Sequence, residues 1–166
     1  MNRKHINYLA LTTCLLSSLA KATEFESLKT ALETTLGKGA KIVKKKLPLD
    51  GKDYDVYYTK DKDGKALKLA SVQTALYMPD CTHTWVIGMV VKNKEIEVEQ
   101  VRVLEMKCKH AFPAKEKDFL SQYEGKKVSD LKTLDKKINT VATATYTALY
   151  TTDAVKRSLN LASKVQ

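Results

Sequence analysis

The sequence predicts an α+β domain in which helices pack on one antiparallel sheet. Near both ends of the chain, apolar residues recur at three- and four-residue intervals, the spacing of amphipathic helices. Between these ends, segments of alternating apolar and polar residues are separated by hairpin-type turns, which is typical of antiparallel strands. Nothing repeats internally and no segment has linker composition, so residues 23–166 are predicted to form a single domain.

The first part of this plan is one helix followed by five strands. The helix is predicted over Glu24–Leu36, where Leu28, Leu32 and Leu36 share one face, and the glycines that follow end it. The predicted strands, separated by short turns, are Ala40–Leu47, Asp53–Thr59, Ala66–Ala75, Thr82–Lys92 and Ile96–Glu105.

Two of these strands carry more detailed predictions. Thr82–Lys92 has apolar residues at both parities, which indicates an interior strand buried on both faces. In Ile96–Glu105 the apolar positions change parity within four residues, which predicts a bulge at Glu99-Gln100. Short helical turns are expected next, at Ala114–Gly125 and Lys127–Leu134.

The N-terminus has the composition of a secretory signal peptide, residues 1–22. Arg3 and Lys4 precede a short apolar segment, and Ala20-Lys21-Ala22 supplies a small-x-small cleavage site. The apolar segment is shorter than the ~20 residues that span a bilayer. The mature chain is therefore expected to start at Thr23, to lack a transmembrane segment, and to be periplasmic or otherwise exported. Lipidation at Cys14 is the alternative.

The chain is basic, with a formal net charge of +10, and the predicted signal peptide contains no acidic residue. The charge therefore stays positive after cleavage, which favours solubility or the attraction of an anionic ligand or partner. Nucleic acid is not expected as the partner, because aromatic residues are not interleaved with the basic ones and because the chain is predicted to be exported.

Two cysteines remain in the mature chain, Cys81 and Cys108, just outside the hairpin formed by the last two predicted strands. An even count in an oxidising compartment favours a disulfide, and folding this hairpin brings the two cysteines close to opposite each other. Separate buried thiols are the alternative. A metal site that adds His83 and His110 is not favoured, because the paired Cys-x-His spacing is unusual for zinc.

A threonine-rich segment precedes the C-terminal helix. Residues 139–147 include four threonines and neither glycine nor proline. Thr151 and Thr152 are good helix N-cap residues, and Asp153 suits the positive end of a helix dipole. The segment is therefore predicted to be an extended loop, with helical periodicity starting at Ala154. The free N–H groups of such a helix start would favour an anion such as phosphate.

Residues 139–147 resemble the flavin-attachment motif of the FMN-binding domain family, Asp-x-x-Ser/Thr-Gly-Ala-Thr. That family includes periplasmic flavoprotein subunits of the Rnf complex and of the sodium-pumping NADH:quinone oxidoreductase, and the last motif Thr can carry FMN through a phosphoester bond. A second register makes Thr143 the acceptor but places Lys137 at the acid. The preferred alignment sets Asn139 on the acid, Ala142 on the Ser/Thr, Thr143 on the Gly, Ala144 on the Ala and Thr145 on the acceptor.

The order of other segments extends this resemblance. Before its motif the family has a Val-rich return strand, a proline loop and a Phe-Leu-x-x-aromatic-x-Gly-Lys element. Here Ile96–Glu105, Pro113 and residues 119–126 fall in that order. The family's Glu-Thr-Pro-Gly segment, which lines the flavin, is replaced by Met106–Pro113, which contains Cys108.

The resemblance implies an exported FMN-binding domain that acts as an electron carrier or as an accessory of a redox complex. Its partner would be a redox protein or a membrane redox complex. Because the motif departs from the family pattern, non-covalent FMN is expected rather than a phosphoester. The alternative is a degenerate member that has lost flavin and serves as a binding or interaction module. The FMN site is expected at Asn139, Thr140, Ala142, Thr143, Ala144, Thr145 and Thr147.

Overall fold

The computed structural model describes residues 25–165, so the predicted signal peptide and the predicted start at Thr23 lie outside the described residues. The strands are β1 (Val43–Leu49), β2 (Lys52–Lys60), β3 (Ala66–Leu76), β4 (Thr82–Lys92) and β5 (Glu95–Met106). The helices are α1 (Leu28–Leu36), α2 (Lys117–Leu120), α3 (Leu134–Lys137) and α4 (Thr145–Ser163), and 3-10 turns cover Lys109–Lys115, Ser121–Tyr123 and Val128–Asp130.

The strands form one antiparallel sheet in the order β1-β2-β3-β4-β5, so each strand pairs with its neighbour in the sequence. Two-residue turns join β1 to β2 and β4 to β5, and the first residue of each turn, Asp50 and Asn93, has a positive φ. Strand β1 runs through Pro48 to Leu49 and not only to Leu47, where the predicted strand ends. Proline is tolerated there because β1 is an edge strand.

Helices cover both faces of this sheet, which confirms the predicted α+β class. Successive side chains of a strand point to opposite faces. On one face Trp85 and Ile87 of β4 pack with α4, and on the other Val86 packs with α1. The interior strand β4 is therefore buried on both faces, as its sequence predicts.

Close packing of α1 on the sheet depends on Gly88. A Cβ atom at this position would lie 2.6 Å from the Cγ2 atom of Thr35, a residue of α1. Beside Gly88, the register of β4 and β5 skips Glu99, which confirms the predicted bulge. Gln100 then pairs with Gly88 and its Nε2 donates a hydrogen bond to Thr35 Oγ1 at 3.3 Å.

Helix α4 begins at Thr145, well before the predicted start near Ala154. Thr151 and Thr152, predicted as N-caps, lie inside the helix and are buried. Their hydroxyls donate to the carbonyls four residues earlier, at 2.8 and 2.9 Å, so the helix itself satisfies them. Among the helices of residues 25–165, none combines the length and the apolar composition that crossing a membrane requires.

Candidate functional site

The motif segment joins α3 to α4 and turns sharply at Thr143. The φ angle of Thr143 is 68°, in the left-handed region that β-branched residues rarely adopt. The N–H of Ala144 donates to the carbonyl of Val141 at 3.0 Å and closes the turn. Glycine, which the family motif has at the position aligned with Thr143, adopts this conformation without a steric penalty.

This turn leads directly into the first turn of α4. The N-cap is Ala144, whose carbonyl accepts from the N–H of Ala148 at 2.9 Å. The alanine side chain cannot accept a hydrogen bond, and the first turn of α4 contains no acidic residue. The start of the helix therefore offers an anion first-turn N–H groups that no side chain caps, together with the positive end of the helix dipole.

The residues predicted for the FMN site divide between two cavities. One is an open cavity of about 380 Å³ whose lining includes two carboxylates and the motif residues Asn139, Thr140 and Ala142. The other is a smaller pocket of about 200 Å³, lined by the motif residues Thr143, Ala144 and Thr147. Thr145 is exposed at the start of α4 and lines neither cavity.

The cavity on the Asn139 side is unfavourable for a phosphate group. Glu116 and Asp118 contribute negative charge to its lining. The main chain of Asn139 is already bonded to the Gln122 side chain. Its N–H donates to Gln122 Oε1 at 2.8 Å and its carbonyl accepts from Gln122 Nε2 at 3.3 Å. Asn139 therefore anchors the loop, and the helix side of the loop is the better anion site.

The smaller pocket also contains both predicted disulfide cysteines. The Cα atoms of Cys81 and Cys108 are 5.3 Å apart, within the range of about 4.4–6.8 Å that a disulfide requires. This confirms that the two cysteines are at disulfide distance. Cys81 is buried and Cys108 is half-buried. The cysteine pair and the first turn of α4 therefore line one pocket.

Two tyrosines form the outer wall of this pocket. The Tyr77 ring stacks on the Tyr146 ring with centroids 5.1 Å apart and an interplanar angle of 24°. Tyr150, one turn further along α4, lies 5.9 Å from Tyr77. Sequence reasoning missed this wall, because Tyr146 and Tyr150 share a helix face only when α4 begins at Thr145. Their four-residue spacing is the signal that could have found it.

His83 lies beneath the pocket, against the cysteine pair. Its Nε2 atom is 3.6 Å from Cys81 Sγ, and only 1% of its surface is exposed. Burial lowers the pKa of the imidazole, so the neutral form is favoured. Among the described residues, Nδ1 has no hydrogen-bond partner.

Comparison with known proteins assigns no family to the chain. No protein-family model, no curated protein and no solved structure matches it. What the pocket offers chemically is a helix start suited to an anion, aromatic rings exposed at its mouth, and a cysteine pair that can exchange two electrons.

Proposed function

We propose that the chain is an exported FMN-binding domain that carries electrons for a redox partner protein or a membrane redox complex. One observation carries the proposal: the left-handed turn at Thr143 feeds an uncapped helix start beside a pocket walled by tyrosines. The turn has the conformation that suits the glycine of the family motif, and the helix start suits the FMN phosphate.

The helix start beside this pocket and the tyrosines that line it would hold different ends of FMN. The phosphate would be held by the first-turn N–H groups of α4 and the Thr145 hydroxyl. Tyr77 and Tyr146, which are 36% and 61% exposed, offer flat surfaces to an aromatic ring system. When bound, FMN would supply one- and two-electron transfer, and the protein would supply position and electrostatics.

The size of the pocket supports non-covalent and weak binding. Its volume of about 200 Å³ is below the range of about 300–1,000 Å³ that is usual for small-molecule sites. Part of the cofactor would therefore stay in solvent. Because Ala144 provides no side-chain cap, the first-turn N–H groups of α4 could donate to a bound phosphate, whose charge would also suit the positive end of the helix dipole.

The test is a titration of purified protein with oxidised FMN, followed by quenching of flavin fluorescence. Thr145→Ala should weaken binding about two- to twelvefold, since one neutral hydrogen bond contributes roughly 0.5–1.5 kcal/mol. Thr140→Ala is the matched control: Thr140 is an exposed threonine of the same motif that lines the other cavity, and its loss should leave binding unchanged. Riboflavin, which lacks the phosphate, should bind more weakly than FMN.

Three results would count against parts of this proposal. No quenching at millimolar FMN would rule out the flavin site. Equal losses in the Thr140 and Thr145 variants would place the phosphate elsewhere. FMN that stays attached to a Thr145 peptide after denaturation would replace non-covalent binding by a phosphoester.

A second candidate function is an interaction module that has kept the fold without flavin. The observation that favours it is a set of three exposed apolar side chains at or near residues that line the same pocket. Leu76 and Met78 flank Tyr77 in the sequence, and Leu149 lies on α4 three residues after Tyr146. The side chains of Leu76, Met78 and Leu149 are between 47% and 62% exposed. Exposed apolar groups of this kind mark protein-contact surfaces. The FMN titration separates the two functions, because only the first requires quenching.

Export is part of the proposal and has its own test. Intact-mass analysis of protein recovered from the exported fraction should show a chain that begins at Thr23. Its mass should be two hydrogens below that of the reduced chain, because Cys81 and Cys108 lie at disulfide distance and an oxidising compartment would favour the bond between them. Protein that retains its first 22 residues, or that has two titratable thiols without denaturant, would contradict this.

A further inference from the structure

The cysteine pair and His83 form a cluster of three potential metal ligands. The two Sγ atoms and one imidazole nitrogen of His83 all lie within 4.8 Å of one another. The sheet sets this arrangement, because His83 pairs with Met106 where β4 begins and β5 ends. Cys81 lies two residues before His83, and Cys108 lies two residues after Met106. The N–H of Lys107 continues the ladder by donating to the Thr82 carbonyl at 3.1 Å.

The environment of His83 is unusual for a residue of the core. The imidazole is 1% exposed, and its Nδ1 atom has no hydrogen-bond partner in the part of the chain that the structure describes. Its Nε2 atom contacts Cys81 Sγ. Burying a polar ring without oxygen or nitrogen partners costs roughly 1–3 kcal/mol, so packing alone does not account for a histidine here.

The distance between the nitrogen and the sulfur is that of two ligands on one tetrahedral ion. Zn–S bonds of about 2.3 Å and Zn–N bonds of about 2.0–2.1 Å, at a tetrahedral angle, separate the two ligand atoms by about 3.6 Å. The observed separation between His83 Nε2 and Cys81 Sγ is 3.6 Å. In the oxidised chain the sulfurs bond to each other, and a rotation of one cysteine side chain is needed to open the third ligand position.

We propose that, once the disulfide is reduced, Cys81, Cys108 and His83 bind a divalent ion of the Zn²⁺ class. The ligand set of two thiolates and one imidazole is the type that Zn²⁺ prefers, and three protein ligands leave one coordination position free. Cys108 is half-buried and lines the pocket, so solvent and a metal ion can reach the cysteine pair from there. The site exists in only one oxidation state of the chain, so it is a redox-gated metal site.

The redox step is an ordinary thiol–disulfide exchange. A dithiol reductant gives two electrons and two protons to the Cys81–Cys108 bond and becomes a disulfide itself. The two thiols then lose their protons to solvent as the metal binds, since the thiolate is the ligand. Neither step involves FMN, so failure of the flavin proposal leaves this one standing.

The test uses Co²⁺ as a spectroscopic probe. Chain reduced with dithiothreitol and desalted without oxygen should bind one Co²⁺ and show a thiolate-to-cobalt charge-transfer band, which added Zn²⁺ abolishes. The oxidised chain should show no such band. His83→Ala should weaken Co²⁺ binding by more than about tenfold, because even outer-shell partners of a metal contribute that much. His110→Ala is the matched control: His110 lines the same pocket but is exposed and outside the ligand cluster, so binding should change little.

Circular dichroism of the reduced chain is recorded with and without Co²⁺, because loss of the disulfide can unfold a domain. If the reduced chain is unfolded and regains the native spectrum when Co²⁺ is added, the site is supported. It is supported equally if the reduced chain stays folded and binds Co²⁺. A reduced chain that gives no charge-transfer band, folded or not, overturns the proposal. So does equal binding by the oxidised chain or by the His83→Ala variant.

Discussion

Thr143→Gly should stabilise the fold, although most substitutions destabilise a protein. Thr143 has a φ of 68° and an exposed side chain. An L-residue in the left-handed region pays about 1–2 kcal/mol because its Cβ approaches the following carbonyl oxygen. Glycine has no Cβ and removes this strain, and an exposed threonine gives up little packing when it is truncated.

The gain is smaller than the strain itself. Glycine raises the conformational entropy of the unfolded chain, which offsets about 0.4–1 kcal/mol. The midpoints of these two ranges leave a net stabilisation of about 0.8 kcal/mol, and a domain of this size should then melt about 2–3 °C higher. If the FMN proposal holds, the same change restores the glycine of the family motif and should not weaken FMN binding.

The assay is urea denaturation followed by circular dichroism, with variant and parent at the same protein concentration. Thr145→Gly is the matched control: Thr145 is also exposed but lies in the first turn of α4, where glycine should lower stability by a few tenths of a kcal/mol. A Thr143→Gly variant that is less stable than the parent would refute the strain argument. An equal effect at both positions would do the same.

Two further predictions concern buried residues, Gly88 under α1 and Tyr123 against α4. Gly88→Ala should lower the free energy of unfolding by about 1–3 kcal/mol, because the new Cβ would lie 2.6 Å from Thr35 Cγ2. Adding Thr35→Ser to this variant removes only that methyl group and should recover part of the lost stability. Tyr123→Phe should lower it by about 0.5–1.5 kcal/mol in urea denaturation at pH 7, since the buried Tyr123 hydroxyl and Thr152 Oγ1 are hydrogen-bonded at 2.9 Å. Burial also raises the pKa of Tyr123, so above about pH 10 the unfolded state releases a proton that the folded state keeps. The stability of the parent should therefore fall as the pH rises above about 10. In Tyr123→Phe this contribution is absent, so stability should fall less steeply. If the changes in free energy of unfolding caused by Gly88→Ala and Thr35→Ser simply add in the double variant, the steric explanation is wrong. If stability falls equally steeply with alkaline pH in Tyr123→Phe and in the parent, the explanation from the Tyr123 pKa is wrong.

The sequence by itself determined the sheet and the positions of its strands to within a few residues. Period-two alternation and hairpin turns are local signals, and they hold because each strand pairs with its neighbour in the sequence. The parity switch in β5 was likewise sufficient to locate the bulge at Glu99, since an extra residue necessarily exchanges the two faces. Disulfide distance between Cys81 and Cys108 followed from folding one hairpin.

Only the tertiary structure decided where α4 begins. Its first turns contain the β-branched Thr145, Thr147, Thr151 and Thr152, and threonine has a low helix propensity, so the local signal favoured a loop. Burial overrides that preference. Thr147, Thr151 and Thr152 lie on the face of α4 that packs into the fold. The hydroxyls of Thr151 and Thr152 donate to main-chain carbonyls of the helix, and the Tyr123 hydroxyl also contacts Thr152.

The composition of the candidate site depends on that helix start. Beginning α4 at Thr145 turns Tyr146 toward Tyr77, places Thr143 and Thr147 at the pocket with the cysteines, and leaves Asn139 and Thr140 at a different cavity. The contact between His83 and Cys81 is equally invisible in the sequence, although the two residues are only two positions apart. Spacing alone does not report whether a ring is buried against a sulfur or turned to solvent, because that depends on which face of the sheet the helices cover.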